Sequence, residues 1–306
     1  MRKETAFLRQ ISSGFWRKSR LFDLLITKGI FRYTQKLFLG LTAYDILICV
    51  GIIVCFATFG FLADRRGLKA RVQNFALLCG VVAIGAGLGS AVLFQALYNI
   101  KTLGRFEIAR NTGMTFYGGL IGGALIFLIL WFAVGSVIFK ERENKKSFFT
   151  LASCAVPAIV IAHSFGRLGC LMAGCCHGDL TDKWYGLMMH GNFGYDKYVP
   201  TQLFEAMFLL GLFFFLAYRA LKGKRYNLPL YMCAYGVWRF ALEFLRGDYR
   251  GSSPFDGVSP SQFIAIVMIV GSAGVFFIER VISNKKTNEK EEIGVTESEN
   301  GDEKVE

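Results

Sequence analysis

Seven apolar segments, each long enough to cross a bilayer as a helix, recur along the 306-residue chain. A helix needs roughly 17 to 25 mostly apolar residues to cross the hydrocarbon core. The segments lie at about 42–63, 74–98, 114–139, 148–171, 201–221, 228–246 and 260–282. Because 53% of all residues are hydrophobic, a single soluble core could not bury them. The sequence therefore predicts an all-α, polytopic membrane protein with seven transmembrane helices.

The chain outside these spans is polar at both ends. Residues 1–40 are basic, and 21–40 mix Leu, Phe and Ile with Lys and Arg, a pattern typical of an interfacial helix. They lack the features of a cleavable signal peptide. The predicted domains are a basic interfacial segment over 1–40, a seven-span membrane domain over 41–284, and a disordered charged tail over 285–306.

The positive charge of the chain fits a membrane surface. A net charge of +12 suits the anionic headgroups of membrane lipids, whereas nucleic-acid binding would require a soluble basic domain, which the pattern lacks. Loops after spans one, three, five and seven carry roughly twice as many Lys and Arg as the other loops. The positive-inside rule therefore places the N-terminus outside and the tail in the cytoplasm. The basic N-terminal segment argues against this orientation unless it lies on the membrane surface.

Polar side chains within the predicted spans fall at one membrane face. They occur where odd-numbered spans begin and where even-numbered spans end, and these ends share a face. The residues are Tyr44, Asp45, Tyr117, His163, Arg167, Gln202, Glu205, Arg239, Glu243, Arg246, Ser261 and Gln262. Residues that only cap helices would occur at both ends of the spans. The distribution predicts a polar cavity that opens toward the outer leaflet.

Helical spacing brings several of these residues onto common helix faces. His163, Arg167 and Cys170 are separated by four and three positions, and Arg239, Glu243 and Arg246 repeat that spacing. An arginine at membrane depth stays charged and therefore needs a carboxylate or a lipid phosphate as its partner.

Each of these signals also has a purely structural interpretation. Arg239 and Glu243 could form an ion pair that only locks helices together, and His163 could be a buried histidine with satisfied hydrogen bonds. Tyr44 and Tyr117 could belong to the aromatic belt of the membrane interface. The glycines of FYGGLIGGA, which include Gly118 and Gly119, favour close helix packing over contact with a lipid chain.

Three cysteines form a separate cluster at the end of span four. Cys170, Cys175 and Cys176, followed by His177, offer soft ligands suited to zinc or copper, and an outer-face position would also permit disulfides. The spacing C-x4-C-C-H is not that of a zinc finger, and adjacent cysteines rarely bind one ion with good geometry. We therefore expect no metal and no cofactor, and a metal or redox role remains the alternative.

The ordered motifs of the spans resemble those of the bacterial prolipoprotein diacylglyceryl transferase family. The similarity extends from about Tyr44 to the end of span seven. It is carried by the seven-span plan, GMTFYGGLIGG, the GRLG stretch with its later glycines, PTQLFEA and the R-x3-E of span six. The resemblance implies an enzyme that moves diacylglyceryl from phosphatidylglycerol to the lipobox cysteine of a prolipoprotein and releases glycerol-1-phosphate.

The resemblance also implies roles for individual residues. Arg167 matches the arginine of the family's signature motif, and Arg239 and Glu243 match the arginine and glutamate of its span six. Together with Tyr117, these three are the expected catalytic residues. The expected substrate-binding residues are Tyr44, His163, Gly118, Gly119, Gly178, Gln202, Glu205 and Arg246. The implied partners are phosphatidylglycerol, the signal-peptide region of a prolipoprotein and membrane lipids. The implied location is the bacterial plasma membrane, with the active face outward.

The chain departs from the usual family signature at several positions. Cys170, Ala173 and Cys175 replace two asparagines and a glutamate, and Tyr117 replaces a histidine found in many members. With an ordinary pKa of about 10, a tyrosine is a poor general base at neutral pH. The departures leave one alternative open: a divergent paralogue with a redox or metal-handling role through the cluster at 170–177.

Overall fold

The computed structural model describes residues 40–103, 116–191, 194–246 and 258–302. Within them the α-helices are α1 (Ala43–Arg65), α2 (Ala70–Leu103), α3 (Phe116–Ile129), α4 (Gly135–Ile138), α5 (Glu143–Ala173), α6 (Thr201–Leu221), α7 (Asn227–Glu243) and α8 (Pro260–Asp302). A π-helical turn, Leu130–Val134, joins α3 to α4, and a 3-10 turn, Lys140–Arg142, precedes α5. Strands β1 (Leu187–Gly191) and β2 (Gly194–Tyr198) form an antiparallel hairpin between α5 and α6.

The predicted helical, multi-pass membrane fold is confirmed. Six helical segments among the described residues are long and apolar enough to cross a bilayer: Ala43–Arg65, Ala70–Leu97, Gly118–Ile138, Glu143–Ala173, Thr201–Leu221 and Pro260–Asn284. The predicted span at 228–246 corresponds to α7, which has 17 residues. A count of seven spans therefore stays a prediction.

The two ends of the chain leave the predicted domain division open. The predicted interfacial segment falls on residues outside the described ranges, apart from Gly40. At the other end α8 continues as a helix to Asp302, although only Pro260–Asn284 is apolar. The sequence predicts a disordered tail over 285–306. The described side chains end at Asn284, and the division into three domains stays a prediction.

The described chain divides into two compact units. The first unit contains the start of α1, α5 from Val156 onward, the hairpin, α6, α7 and α8. Its buried core joins α5, α6 and α7 through Val156, Val160, Leu209, Leu212, Leu216 and Tyr235. Small residues allow the helices to approach. A side chain at Gly51 of α1 would meet Phe165 of α5, and one at Gly236 of α7 would meet α8 at Ile269.

The hairpin was not predicted from the sequence. Its register places Leu187 opposite Tyr198 and Gly191 opposite Gly194. The Tyr198 side chain is fully buried and packs with Leu171 at the end of α5 and with Met189. This contact fixes the chain between α5 and α6, so the residues that follow α5 have a defined position.

The second unit contains α2, α3, α4 and the adjoining parts of α1 and α5, with residues 220–225. Here α2 and α3 meet along glycines. A side chain on Gly87 would come within 2.9 Å of the Gly119 carbonyl oxygen, and one on Gly123 within 3.0 Å of the Ala83 carbonyl oxygen. We call Gly87, Gly119 and Gly123 the glycine seam. Only glycine permits backbones to approach this closely.

The same unit stabilises the π-helical turn with a buried amide. In a π turn the hydrogen-bond pattern shifts, and a carbonyl group loses its usual partner. The Asn144 side chain of α5 donates a hydrogen bond of 2.7 Å to the Trp131 carbonyl oxygen, and both residues are fully buried. This contact satisfies a backbone group that lipid could not hydrate.

Candidate active site

A carboxylate near the start of α6 holds together three helices of the first unit. Glu205 is fully buried. Its Oε2 lies 3.0 Å from Arg167 Nε on α5, and its Oε1 accepts a hydrogen bond of 2.7 Å from the Tyr235 hydroxyl on α7. His163 Nε2 lies 3.9 Å from the same Oε1. The buried negative charge is thus paired with a guanidinium group and further satisfied by a phenol.

The histidine of this group is held by the neighbouring arginine. Arg167 Nε donates a hydrogen bond of 3.3 Å to His163 Nε2. A guanidinium group can only donate, so His163 Nε2 is the acceptor and the ring is neutral in this arrangement. The His163 ring also lies edge-on to Tyr235, with 5.2 Å between ring centroids.

A second charge pair lies one helical turn beyond Tyr235 on α7. Arg239 Nη2 is 2.7 Å from Glu243 Oε2, and it donates a 2.8 Å hydrogen bond to Ser261 Oγ of α8. Glu243 Oε1 accepts a 2.8 Å hydrogen bond from Ser259 Oγ. Tyr235 and Arg239 lie four residues apart on one face of α7, so the two charge pairs adjoin each other along that helix. We call Arg167, Glu205, Tyr235, Arg239 and Glu243 the polar layer.

One nitrogen of Arg239 is available for a bound molecule. The residue is only 5% exposed, and its Nη1 has no hydrogen-bond partner among the residues that the structure describes. A buried donor without an acceptor carries a desolvation cost of about 1–3 kcal/mol. An anionic oxygen placed beside Nη1 would remove that cost and complete a two-pronged contact.

Tyr44 lies against the same stretch of α5. A side chain at Gly169 would come within 3.1 Å of the Tyr44 ring, so the glycine leaves room for the tyrosine. The adjacent Asp45 serves the start of α1, because its carboxylate accepts hydrogen bonds from the Thr42 backbone and hydroxyl at 2.9 and 2.7 Å. The structure thus brings Tyr44 to α5 and gives Asp45 a capping role.

Residues after α5 surround a tight turn that Gln202 supports. Gln202 is fully buried, and its Nε2 donates a 2.7 Å hydrogen bond to the Cys175 carbonyl oxygen. Its Oε1 has no hydrogen-bond partner within the described ranges. Gly178 passes close to the Leu245 carbonyl oxygen just after α7, and any side chain there would collide with it. These contacts fix the turn between the ends of α5 and α7.

The three thiols predicted as a cluster do converge. The Sγ atoms of Cys170, Cys175 and Cys176 all lie within 4.8 Å of one another. Hydrogen bonds from the thiols of Cys170 and Cys175 lower the pKa of Cys176, and the guanidinium groups of Arg246 and Arg167 lower it further. Its thiol hydrogen bonds to Cys170 and Cys176 raise the pKa of Cys175. The cluster therefore favours a thiolate at Cys176.

The remaining predicted residues belong to the second unit. Gly118 and Gly119 lie in α3 and face α2, where a side chain on Gly118 would meet the Phe94 ring. Their described contacts are those of helix packing. Tyr117 lies in the first turn of α3, and its side chain falls outside the described set. The roles predicted for these three residues stay predictions.

Sequence reasoning missed two hydroxyl groups of the site. Tyr235 lies one turn before Arg239 on the same face of α7, and this i, i+4 spacing could have identified it. Ser259 precedes α8 and binds Glu243, a contact with no signal in the sequence beyond its neighbour Ser261. Both residues anchor carboxylates, so they extend the predicted polar site without changing its position.

Together these observations define a multi-pass helical membrane protein with a buried arginine–carboxylate site at the ends of α5, α6 and α7. The model of one family, prolipoprotein diacylglyceryl transferase, matches residues 33–278. The chain therefore belongs to the prolipoprotein diacylglyceryl transferase family, as the sequence motifs predicted.

Individual relatives agree with the family assignment. A Clostridium perfringens protein named phosphatidylglycerol–prolipoprotein diacylglyceryl transferase 2 is 33% identical over 263 residues, which cover 82% of this chain and 96% of the relative. A Clostridium tetani protein named phosphatidylglycerol–prolipoprotein diacylglyceryl transferase is 30% identical over 250 residues, covering 79% and 94%. These comparisons do not support the alternative of a redox or metal-handling paralogue.

Proposed function

We propose that this protein transfers a diacylglyceryl group from phosphatidylglycerol to the lipobox cysteine of a prolipoprotein. Family membership and the names of the relatives support this function. The single observation that carries it is the buried Arg239, whose Nη1 has no hydrogen-bond partner among the described residues. Phosphatidylglycerol carries one negative phosphodiester, which is the kind of group that this nitrogen can bind.

The charges of the polar layer suit the reaction. The thiolate of the acceptor attacks a glyceryl carbon, a carbon–sulfur bond forms, and the carbon–oxygen bond to the phosphate breaks. The leaving glycerol phosphate carries more negative charge than the diester did. Fixed guanidinium groups near that phosphate stabilise the developing charge. In this proposal Arg239 binds the phosphate, and Arg167, held by Glu205, adds positive potential.

The carboxylates have a positioning role in this mechanism. Glu205 forms an ion pair with Arg167 of α5 and accepts a hydrogen bond from Tyr235 of α7. Glu243 forms an ion pair with Arg239 and accepts a hydrogen bond from Ser259, which precedes α8. Each guanidinium group is thus held by a partner before any lipid binds. Such preorganisation means that little reorganisation is needed when charge develops.

The experiment that tests this function is rescue of a bacterial strain depleted of its own transferase. Purified protein should also move labelled diacylglyceryl from phosphatidylglycerol to a lipobox peptide. Arg239→Lys should reduce transfer by about 100-fold, because lysine cannot make the planar two-pronged contact. The matched control is Arg280→Lys on the exposed part of α8, which should transfer normally. Unchanged transfer by Arg239→Lys would contradict the phosphate-binding role.

We also propose that the active face is outward in the bacterial plasma membrane. The loop charges support this orientation, since the loop after span seven is among the basic ones. A membrane-impermeant thiol reagent should label Lys183→Cys in intact cells and should label Asn284→Cys only after lysis. Both positions are exposed in the structure. Labelling of Asn284→Cys in intact cells would reverse the orientation.

A further inference from the structure

The thiol cluster at the end of α5 has the dimensions of a metal site. Its three Sγ atoms lie within 4.8 Å of one another. In a tetrahedral zinc site with Zn–S bonds of about 2.3 Å, the sulfur atoms are about 3.8 Å apart. Movements of roughly 1 Å or less would therefore bring all three sulfur atoms into contact with one ion.

The backbone conformation explains how two adjacent cysteines can bind the same metal ion. Gly174 and Cys176 both have left-handed backbone conformations, with φ of 65° and 63°. The turn folds the chain back so that the Cys175 backbone amide donates a 3.2 Å hydrogen bond to the Cys170 carbonyl oxygen. A left-handed conformation is uncommon for a cysteine and costs about 1–3 kcal/mol. The turn overcomes the unfavourable geometry expected for adjacent ligands.

Neighbouring side chains hold this turn in place. Thr201 Oγ1 donates a 3.0 Å hydrogen bond to the Cys176 carbonyl oxygen, and Gln202 Nε2 donates one of 2.7 Å to that of Cys175. Gln202 is fully buried, and its Oε1 still lacks a hydrogen-bond partner among the described residues. The turn is therefore supported from α6, and a buried acceptor beside it is available to a further group.

The surrounding charges fit three thiolates with one divalent ion. Zn²⁺ bound to three thiolates carries a net charge of −1. Arg167 and Arg246 both interact electrostatically with Cys176, and Arg167 does so with Cys170. These guanidinium groups balance the net charge of a three-thiolate zinc site. They would oppose a site with neutral ligands only.

We propose that Cys170, Cys175 and Cys176 bind one Zn²⁺, and that its fourth position takes the cysteine thiol of the acceptor peptide. This proposal rests on the transferase function proposed above. It departs from the sequence-based expectation of no metal, and it assigns the metal to the transfer reaction itself. Three protein ligands with an open fourth position are typical of catalytic zinc sites.

The bound zinc would supply the nucleophile. A thiol that coordinates zinc loses its proton, here to bulk water, and becomes a thiolate at neutral pH. Its sulfur then forms the bond to the glyceryl carbon as the carbon–oxygen bond breaks. The electron pair of that bond leaves with the phosphate, which departs as the glycerol phosphate dianion. The charges balance, because one thiolate and one monoanionic diester give a neutral thioether and a dianion.

The candidate bases in and beside the polar layer are each paired with a guanidinium group. Glu205 Oε2 is paired with Arg167, and Glu205 Oε1 accepts a hydrogen bond from Tyr235. Glu243 Oε2 is paired with Arg239, and His163 Nε2 accepts a hydrogen bond from Arg167. Transfer of a proton to any of these groups would weaken an ion pair or a hydrogen bond that the structure shows. Coordination to a metal ionises a thiol without a general base, and this is why the thiol cluster is relevant to the reaction.

Metal binding can be measured on purified protein kept reduced with a phosphine. Zinc content should be about one ion per chain, and titration with Co²⁺ should give a thiolate–cobalt absorption band in the near ultraviolet. The variant Cys175→Ser/Cys176→Ser should lose both, whereas Cys49→Ser/Cys233→Ser, at exposed cysteines outside the cluster, should keep both. Adding a lipobox peptide should change the cobalt spectrum. A peptide without its cysteine should not. Absence of the band, or a spectrum unmoved by the peptide, would overturn the proposal.

The pH dependence of transfer gives a second test that a structural metal would not pass. A free thiol with a pKa of about 8.5 is roughly 3% ionised at pH 7. Removal of zinc by a chelator, or the variant Cys175→Ser/Cys176→Ser, should therefore reduce transfer about 30-fold at pH 7 and only about twofold at pH 8.5. Adding zinc back should restore transfer by the chelator-treated wild-type protein. A loss that is equal at both pH values would mean that the metal does not activate the thiol.

The outcomes separate this proposal from the transferase function. If zinc-loaded wild-type protein transfers no lipid at any pH, the proposed function fails. If it transfers lipid and the metal-free protein does so equally well at pH 7, the function stands and the zinc proposal fails.

Discussion

The polar layer and the glycine seam solve the problem of joining helices in lipid by opposite means. In the polar layer, α5, α6 and α7 are joined by buried charges, with Glu205 bound by Arg167 and Tyr235. In the glycine seam, α2 and α3 approach each other through their backbones, and the Ser90 hydroxyl donates a hydrogen bond of 2.9 Å to the Gly118 carbonyl oxygen.

This difference indicates which part of a largely apolar membrane protein carries its function. Packing of small residues can join a helix pair without buried charges, as in the glycine seam. Buried ion pairs add little stability over apolar packing, because desolvation offsets most of their attraction. A membrane protein that keeps such pairs therefore uses them for another purpose, which here is the proposed binding of a phosphate group.

The largest effect is expected from removing the carboxylate at the centre of the polar layer. Glu205→Ala leaves Arg167 as a buried, unpaired charge, and this should lower the free energy of unfolding by about 3–5 kcal/mol. Glu205→Gln should cost less, because the amide oxygen can still accept from Tyr235. Thermal unfolding in detergent measures both. Equal stability of Glu205→Ala and the wild type would show that Arg167 has another partner.

A smaller effect is expected in the glycine seam. Gly87→Ala places a methyl group 2.9 Å from a backbone oxygen, so α2 and α3 must separate, at a cost of about 1–3 kcal/mol. Gly85→Ala is the matched control on the same helix, since a side chain there meets nothing within 4 Å. We expect its stability to be unchanged or slightly higher, as alanine favours the helix. If both variants unfold alike, close packing does not hold this pair.

The smallest effect is expected for the exposed ion pair of the second unit. Lys69 Nζ lies 2.7 Å from Glu143 Oε1, and the two side chains are 76% and 28% exposed. Water and salt screen such pairs, so Glu143→Gln should change the free energy of unfolding by about 0–1 kcal/mol. The same unfolding assay would test it. A loss as large as that of Glu205→Ala would remove the distinction between buried and exposed pairs.

Much of the polar layer could be predicted from the sequence. Consecutive predicted spans cross the membrane in opposite directions. The starts of odd-numbered spans and the ends of even-numbered spans are therefore predicted to share one membrane face. The i, i+4 spacing of Arg239 and Glu243 gave the ion pair within α7 directly, and the structure has it at 2.7 Å. Local periodicity was sufficient because these partners lie on one helix.

Contacts between helices could not be predicted in the same way. Nothing in the spacing of Arg167 and Glu205 indicates that they pair, since the contact depends on how α5 packs against α6. The convergence of Cys175 and Cys176 on Cys170 depends on a left-handed backbone angle at Cys176, which propensities do not favour. The hairpin is likewise held by Tyr198, which packs against Leu171 at the end of α5, a contact between two elements that periodicity does not reveal.

The pairing of Arg167 with Glu205 also has a consequence for the biogenesis of the protein. Ribosomes extend a chain at about 5–20 residues per second, so Arg167 is synthesised seconds before Glu205. During that interval the arginine has no carboxylate, and its insertion at membrane depth is costly. The end of α5 must therefore wait at the interface or in the insertion channel until α6 arrives. Quality-control proteases would meet a Glu205 variant at this stage, before any lipid substrate could bind.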